Sequence, residues 1–408
     1  MIKGNAVVGQ SGGPTGAINA TLAGVIRGAA KASKNGSIGT LYGMRNGIEG
    51  FLSENLYDLG AHFDDERWIS TLTQTPAAAL GSCRRKLKSY ADDAATYEKL
   101  LSVIKKYDIR YFFYIGGNDS MDTVLKLSEY AKTTGYELYV VGIPKTIDND
   151  LAATDHTPGF GSAAKFVATS VKEIMRDIEV YTVKAVTIVE IMGRDAGWLT
   201  ASSALASEGE GYPLIYLPER TFDTESFIED VKRRMEISPA VLVCASEGIR
   251  FADGEYVGAG GQSGVTDVFG HKYLSGTGKV LEGIVKERLG CKVRSIELSL
   301  TQRCAAHIAS ATDISESLGV GEAAVGYALG GATGVMTTID RAEGENYSVS
   351  YGTADISKIA NEVRAVPAEY INAEGNGITD AGIAYLKPLI MGELNVEYEN
   401  GLPRHVKI

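Results

Sequence analysis

Between residues 145 and 150 the chain reads Lys-Thr-Ile-Asp-Asn-Asp, which gathers a cation, a hydroxyl, two carboxylates and an amide within six residues. A carboxylate held against a hydroxyl can take its proton as the oxygen attacks, and an ammonium beside it can steady a phosphate. Asp148 and Asp150 stand two positions apart and would share a face in an extended segment. The same residues would equally make a polar turn capped by Asx side chains.

The element that must position them is the apolar run at 138–142. It reads as a buried parallel strand, ended by Pro144, which lacks a ladder donor. Open α/β sheets bind ligands beyond the carboxyl ends of such strands. Two further strand–glycine–helix units precede it. The strand at 6–8 opens into Gly9-Gln10-Ser11-Gly12-Gly13-Pro14-Thr15-Gly16 and a helix near 17–32. Backbone N–H groups and the helix dipole make that turn an anion cradle, although its spacing is neither a Walker A loop nor GxGxxG. The strand at 111–115 delivers Gly116-Gly117-Asn118-Asp119-Ser120, and a helix runs on to about 133. An acid in such a loop points to a metal or to discrimination by charge. Between these units, Leu80-Gly81-Ser82-Cys83-Arg84-Arg85-Lys86 is a basic cluster. It is a phosphate clamp if it faces the first loop, and otherwise a solvated helix start.

Further on, a helix is predicted over 160–178, and a β-branched strand over 183–191 ends in Met192-Gly193-Arg194-Asp195. Arg194, directly after a buried strand, suits an anion. A small-residue helix over 196–207 and strands at 214–217 and 240–245 follow, the last ending at Ser246-Glu247-Gly248. Residues 252–276 are glycine-rich. Ser275-Gly276-Thr277-Gly278-Lys279 fails as a Walker A loop, because Tyr273 and Val280 stand where a glycine and a Ser/Thr are required. It reads as a turn into a helix over 279–288. A strand over 293–298 carries Arg294, a helix bears Gln302 and Arg303, and a helix at 315–329 and a strand at 333–339 follow. This alternation predicts an α/β protein with two doubly wound parallel sheets.

The 408 residues suffice for two domains and a large core. A hydrophobic share of 44% and a charged share of 22% are those of a soluble globular protein. The net charge of −11 argues against a nucleic-acid surface but not against a local basic pocket. Four cysteines without a CxxC pair read as reduced and structural, in a cytoplasmic setting. No signal peptide and no membrane-length apolar run are read.

Taken together, SGGPTGAINA, LGSCR, GGNDS, PKTIDND, MGRDAGW, SEG and the late Gln302-Arg303 resemble the phosphofructokinase family, in its order, across about residues 9–303. The resemblance implies two Rossmann-like α/β/α domains with the active site in the cleft between them. It divides the chain into 1–155 plus about 302–365 on the donor side, and 156–301 plus about 366–408 on the sugar-phosphate side. It implies phosphoryl transfer to the 1-hydroxyl of fructose 6-phosphate with Mg²⁺. Asp148 resembles the base, and Gly12, Gly13, Arg84, Gly117 and Ser120 the donor cradle. Thr146, Ile147, Asp150, Met192, Gly193, Arg194, Glu247 and Arg303 resemble the sugar-phosphate site. Arg294 resembles an arginine reaching a neighbouring subunit, hence a homodimer or homotetramer. Asp119 and Lys145 stand where ATP-using members usually have glycine, and the pair resembles the pyrophosphate-dependent branch. Asn118 replaces a usual aspartate ligand for magnesium, so Asn118 and Asp150 are the metal candidates. Leu300 and Ala185 also depart from the pattern, which leaves another phosphosugar open. An ATP-dependent kinase and a non-catalytic phosphosugar-binding subunit are the alternatives.

Overall fold

Apolar runs rich in β-branched and aromatic residues form two main sheets in this computed structural model, which describes residues 2–207, 213–261, 276–344, 346–360 and 362–408. Most of the glycine-rich stretch, residues 262–275 with its Tyr273 and Ser275, lies outside the described residues. The strands of the first sheet are β1 (Gly4–Gln10), β2 (Ile38–Met44), β3 (Leu56–Asp58), β4 (Ile109–Gly116) and β5 (Tyr139–Pro144). The chain then builds a second sheet from β6 (Ala185–Ile191), β7 (Leu214–Tyr216), β8 (Ala240–Ser246) and β9 (Lys292–Glu297). It returns to the first sheet as β10 (Val335–Arg341) and β11 (Val349–Asp355).

The first sheet has the order β11-β10-β5-β4-β1-β2-β3, parallel except at its two antiparallel edges, β2–β3 and β10–β11. The second, β7-β8-β6-β9, is parallel throughout. Burial on both faces explains why the strands read as continuous apolar runs. On β4, Tyr111, Phe113 and Ile115 pack towards helices Ile18–Lys34 and Ala311–Leu329. Phe112 and Tyr114 pack towards helices Ala94–Lys106 and Asn118–Thr134. Each such ring, fully buried, contributes about 2–3 kcal/mol. Helices Ile18–Lys34 and Ala311–Leu329 approach closely because Gly24 and Gly321 leave room. A side chain on either would overlap a backbone carbonyl of the other helix, Leu318 or Thr21.

Two predicted helices are shorter than the sequence suggests. Over 196–207 there is a single turn, Trp198–Ala201, and then a 3₁₀ segment, Ser202–Ala206. The Ser202 and Ser203 hydroxyls donate to the carbonyls of Leu199 and Thr200, each at 2.6 Å, which competes with the helical ladder. Gln302 and Arg303 lie in a 3₁₀ turn, Ser299–Arg303, entered through Ser299 at φ 43°. The stretch 38–60, which shows only weak strand signals in sequence, holds β2, helix Gly47–Leu52 and antiparallel β3. Among the described residues no helix is long and apolar enough to cross a membrane.

Candidate active site

Both sheets reverse strand order at a switch point, β1/β4 in one and β6 in the other, and the loops leaving their carboxyl ends face each other. Between them lies a cleft of about 480 Å³. The loops after β1, β4 and β5 supply Gly12, Gly13, Gly117, Asn118, Asp119, Ser120, and the run Lys145–Asp148 with Asp150. Those after β6, β8 and β9 supply Met192, Arg194, Glu247 and Arg303. Five cations (Arg84, Lys86, Lys145, Arg194, Arg303) and five carboxylates (Asp119, Asp148, Asp150, Asp195, Glu247) line it. The cleft is therefore near neutral on a formal count although the chain is acidic, so polyanions can enter.

The donor side is built by hydrogen bonds between loops. Gly12 adopts φ 78°, a conformation glycine takes at no steric cost. Its N–H donates to the Cys83 carbonyl at 3.2 Å, and its carbonyl accepts from Ser82 Oγ at 2.7 Å. The basic cluster therefore does face the first loop, carrying Arg84 and also Lys86, which pairs with Asp119 at 2.6 Å. The Ser11 and Ser120 hydroxyls bond to each other and tie the first loop to the start of helix Asn118–Thr134. Lys145 Nζ donates to the Gly13 carbonyl, and its amide to the Gly116 carbonyl at 3.0 Å. Arg303 reaches across from the second sheet to the same loop. A Cβ on Gly13 would stand 3.2 Å from its guanidinium.

The segment 145–150 is a turn, the second of the two readings its sequence allows, and not an extended strand that aligns the two carboxylates. Thr146 Oγ1 accepts from the Asp148 amide at 3.0 Å and donates to Asp148 Oδ2 at 3.3 Å. Asn149 sits in the left-handed region at φ 55°, which Asn tolerates better than most residues. Burial raises Asp148, against the Thr146 bond and the Lys145 and Arg194 charges. Burial, with the Asp148 charge adding to it, pushes Asp150 up to about 7. Burial brings Lys145 down to about 8 despite the nearby Asp148.

On the facing side, Gly193 adopts φ 140°, and its N–H donates to Glu247 Oε1 at 3.4 Å. Its carbonyl accepts from Ser246 Oγ. Gly193 thus shapes the loop, while Met192 and Arg194 line the cleft. Buried Gln302 accepts from the Met192 amide at 3.2 Å and fixes the loop beside the 3₁₀ turn. Arg194 Nε is buried without a partner among the described residues, an arrangement suited to an anion. Asn118 Oδ1 is likewise a buried, unpartnered oxygen at the cleft. With Asp148 and Asp150 nearby it makes an all-oxygen set. Mg²⁺ takes one or two carboxylates together with substrate phosphates, so the residues present fit it. No cluster of three or more His, Cys, Asp or Glu that could hold a metal alone occurs among the described residues.

Arg294, expected to reach a neighbouring subunit, does not line the cleft of its own chain. It lies exposed on edge strand β9, beside Ile178 and Tyr181 rather than in the cleft. Lys86, Thr15, Asp195 and Val363 line the cleft without having been singled out in sequence. Lys86 had a signal, two places after Arg84 in the basic cluster. Val363 had none, since it follows no glycine-rich strand end.

Fold and site define an α/β protein with a cleft rich in charged side chains between the carboxyl ends of two mainly parallel sheets. The chain belongs to the phosphofructokinase family: residues 5–327 match the family described as Phosphofructokinase. It is similar to the pyrophosphate–fructose 6-phosphate 1-phosphotransferase of Xanthomonas campestris pv. campestris, 45% identical over 413 residues, covering 100% of this chain and 97% of that protein. The Methylococcus capsulatus protein of the same description is 43% identical, covering 100% and 96%. Among solved structures, the pyrophosphate-dependent phosphofructokinase of Nitrosospira multiformis superposes with a TM-score of 0.89 at 40% identity, over 99% of this chain and 96% of that one.

Proposed function

We infer that the protein reversibly transfers a phosphoryl group from pyrophosphate to the 1-hydroxyl of fructose 6-phosphate, giving fructose 1,6-bisphosphate. The observation that carries the reading is the presence of Asp119, Lys145 and Asp148 in one cleft. Asp148 takes the proton of the sugar hydroxyl as its oxygen attacks phosphorus. Lys145, held against the first loop, offsets charge on the transferring and leaving phosphates as the bond breaks. Asp119 places a carboxylate where a third phosphate would lie and so disfavours ATP. Gly12, Gly13, Gly117, Ser120 and Arg84 cradle the donor, and Arg303 adds its charge where the two sides meet. Thr146, Ile147, Met192, Arg194 and Glu247 hold the sugar phosphate.

Mg²⁺ would be held by Asp150 and Asn118 together with the donor phosphates, and when bound it neutralises charge on the phosphoryl oxygens. On this reading the chain forms two domains, crossing near 155, returning near 302 and crossing again near 366. Arg294 serves a neighbouring subunit's sugar-phosphate site in a dimer or tetramer. Its position on edge strand β9 near exposed Tyr181 and Val183 supports such a contact. The setting is the cytoplasm.

The test is a donor panel of pyrophosphate, ATP and polyphosphate with fructose 6-phosphate and Mg²⁺. Pyrophosphate should give the highest kcat/KM, and a preference for ATP would overturn the donor reading. Asp148→Ser should lower kcat about a hundredfold or more, with much less effect on KM.

A further inference from the structure

The turn that carries Asp148 and Asp150 is gripped from outside, by residues beyond the 5–327 span that matches the family. Arg364 donates its amide to the Asp150 carbonyl at 2.8 Å. Asn149, between the two carboxylates, donates its side-chain amide to the Tyr385 hydroxyl at 3.1 Å and accepts from the Thr157 amide at 3.1 Å. The Tyr385 hydroxyl donates in turn to the Asp155 carbonyl at 2.7 Å and accepts from Arg364 Nη2 at 3.2 Å. Arg364 Nη1 donates to that same Asp155 carbonyl. One hydroxyl thus fills its donor and both acceptor positions, and all three bonds bear on the turn or on its clamp.

The clamp is itself held rigid. Tyr385 is 7% exposed, with the guanidiniums of Arg341 and Arg364 lying 4.5 Å and 5.6 Å from its ring centre. Trp198, fully buried, stacks under Arg364 at 4.5 Å and donates its indole N–H to the Arg364 carbonyl at 3.0 Å. Asn149 needs such support. Its left-handed backbone, although Asn adopts it more readily than most residues, is still sparsely populated and persists where the surroundings fix it.

We propose that Tyr385 and Arg364 are positioning residues, which hold the 146–151 turn so that Asp148 meets the attacking hydroxyl. This rests on the functional reading above. Neither side chain lines the cleft, so both act through Asn149 and the Asp150 backbone. Because reacting groups must be placed within fractions of an ångström, loss of the clamp should cost rate more than affinity.

The test is Tyr385→Phe in the full chain, which keeps the ring in its cluster and removes only the hydroxyl. The expected result is a kcat lowered about tenfold or more with both KM values within about threefold. Amide hydrogen exchange across 146–151 should also quicken. Tyr370→Phe, altering a neighbouring ring 5.6 Å from Tyr385, should change neither. If the wild-type protein turns over pyrophosphate and fructose 6-phosphate while Tyr385→Phe keeps its kcat, or keeps its exchange, the positioning role is overturned. A wild-type protein without that turnover would sink the functional reading instead, and exchange across 146–151 would then decide alone whether Tyr385 holds the turn.

Discussion

Lys86 Nζ lies 2.6 Å from Asp119 Oδ1 and joins the basic loop to the first turn of helix Asn118–Thr134. Both side chains are over a third exposed, so the pair contributes little to stability, at most about 1 kcal/mol. Its consequence is for the donor, because the carboxylate proposed to repel a third phosphate also engages a lysine that could bind one.

Asp119→Gly should therefore remove the repulsion and the pairing with Lys86 together. Turnover with ATP should appear where the wild type has little, and kcat/KM for pyrophosphate should fall about tenfold. Steady-state kinetics with each donor measures this. An Asp119→Gly protein still blind to ATP would show that charge exclusion is not what selects the donor.

The pH dependence follows from Lys145 and Asp148. Burial holds Lys145 down to about 8, and the mechanism needs it charged, so kcat/KM should fall as pH rises through about 8. Burial raises Asp148, and a base must be ionised, so activity should also fall in acid, beginning above the usual carboxylate range. Lys145→Met should abolish the alkaline fall and lower kcat about a hundredfold. An alkaline limb that survives in Lys145→Met would assign it to another group.

Glu247 predicts a stability effect of opposite sign to its binding role. Burial, with the Asp148 charge adding to it, pushes it up to about 7, so between about 4.5 and 7 the folded state holds a proton that the unfolded state has released. Stability from this group is therefore lost as pH rises through that window. Glu247→Gln should raise stability at pH 8 by up to about 3 kcal/mol, with no gain at pH 4, while raising the KM for sugar phosphate. Thermal melts at the two pH values separate the effects. A gain that is equal at both would exclude the ionisation as its cause.

Arg294 tests assembly. It lies exposed on β9, outside the cleft of its own chain, so a direct contact with sugar phosphate would have to be made in a second copy. The protein should sediment as a dimer or tetramer, and Arg294→Ala should raise the KM for sugar phosphate about tenfold while leaving that for pyrophosphate near wild type. A fully active monomer would remove this arrangement.

The strand–loop–helix units that carry the site are legible in the sequence because their signals are local. Helix Phe160–Ile178 falls where hydrophobic periodicity places it, and Pro144 closes β5 where its missing donor requires. Since ligands of such sheets lie at strand carboxyl ends, Gly12 and Asp148 are predictable as neighbours before any coordinates, whereas Arg303 joins them only through the family resemblance. Tertiary structure alone decided how the two carboxylates meet: a turn around a left-handed Asn149, fixed by Tyr385 and Arg364, where spacing by two suggests an extended strand. It alone paired Lys86 with Asp119, brought Val363 to the cleft and left Arg294 outside it. The reason is that these contacts join segments up to 236 residues apart. Periodicity and turn chemistry report on a residue's own element, whereas what a side chain touches across the core depends on how all the elements pack.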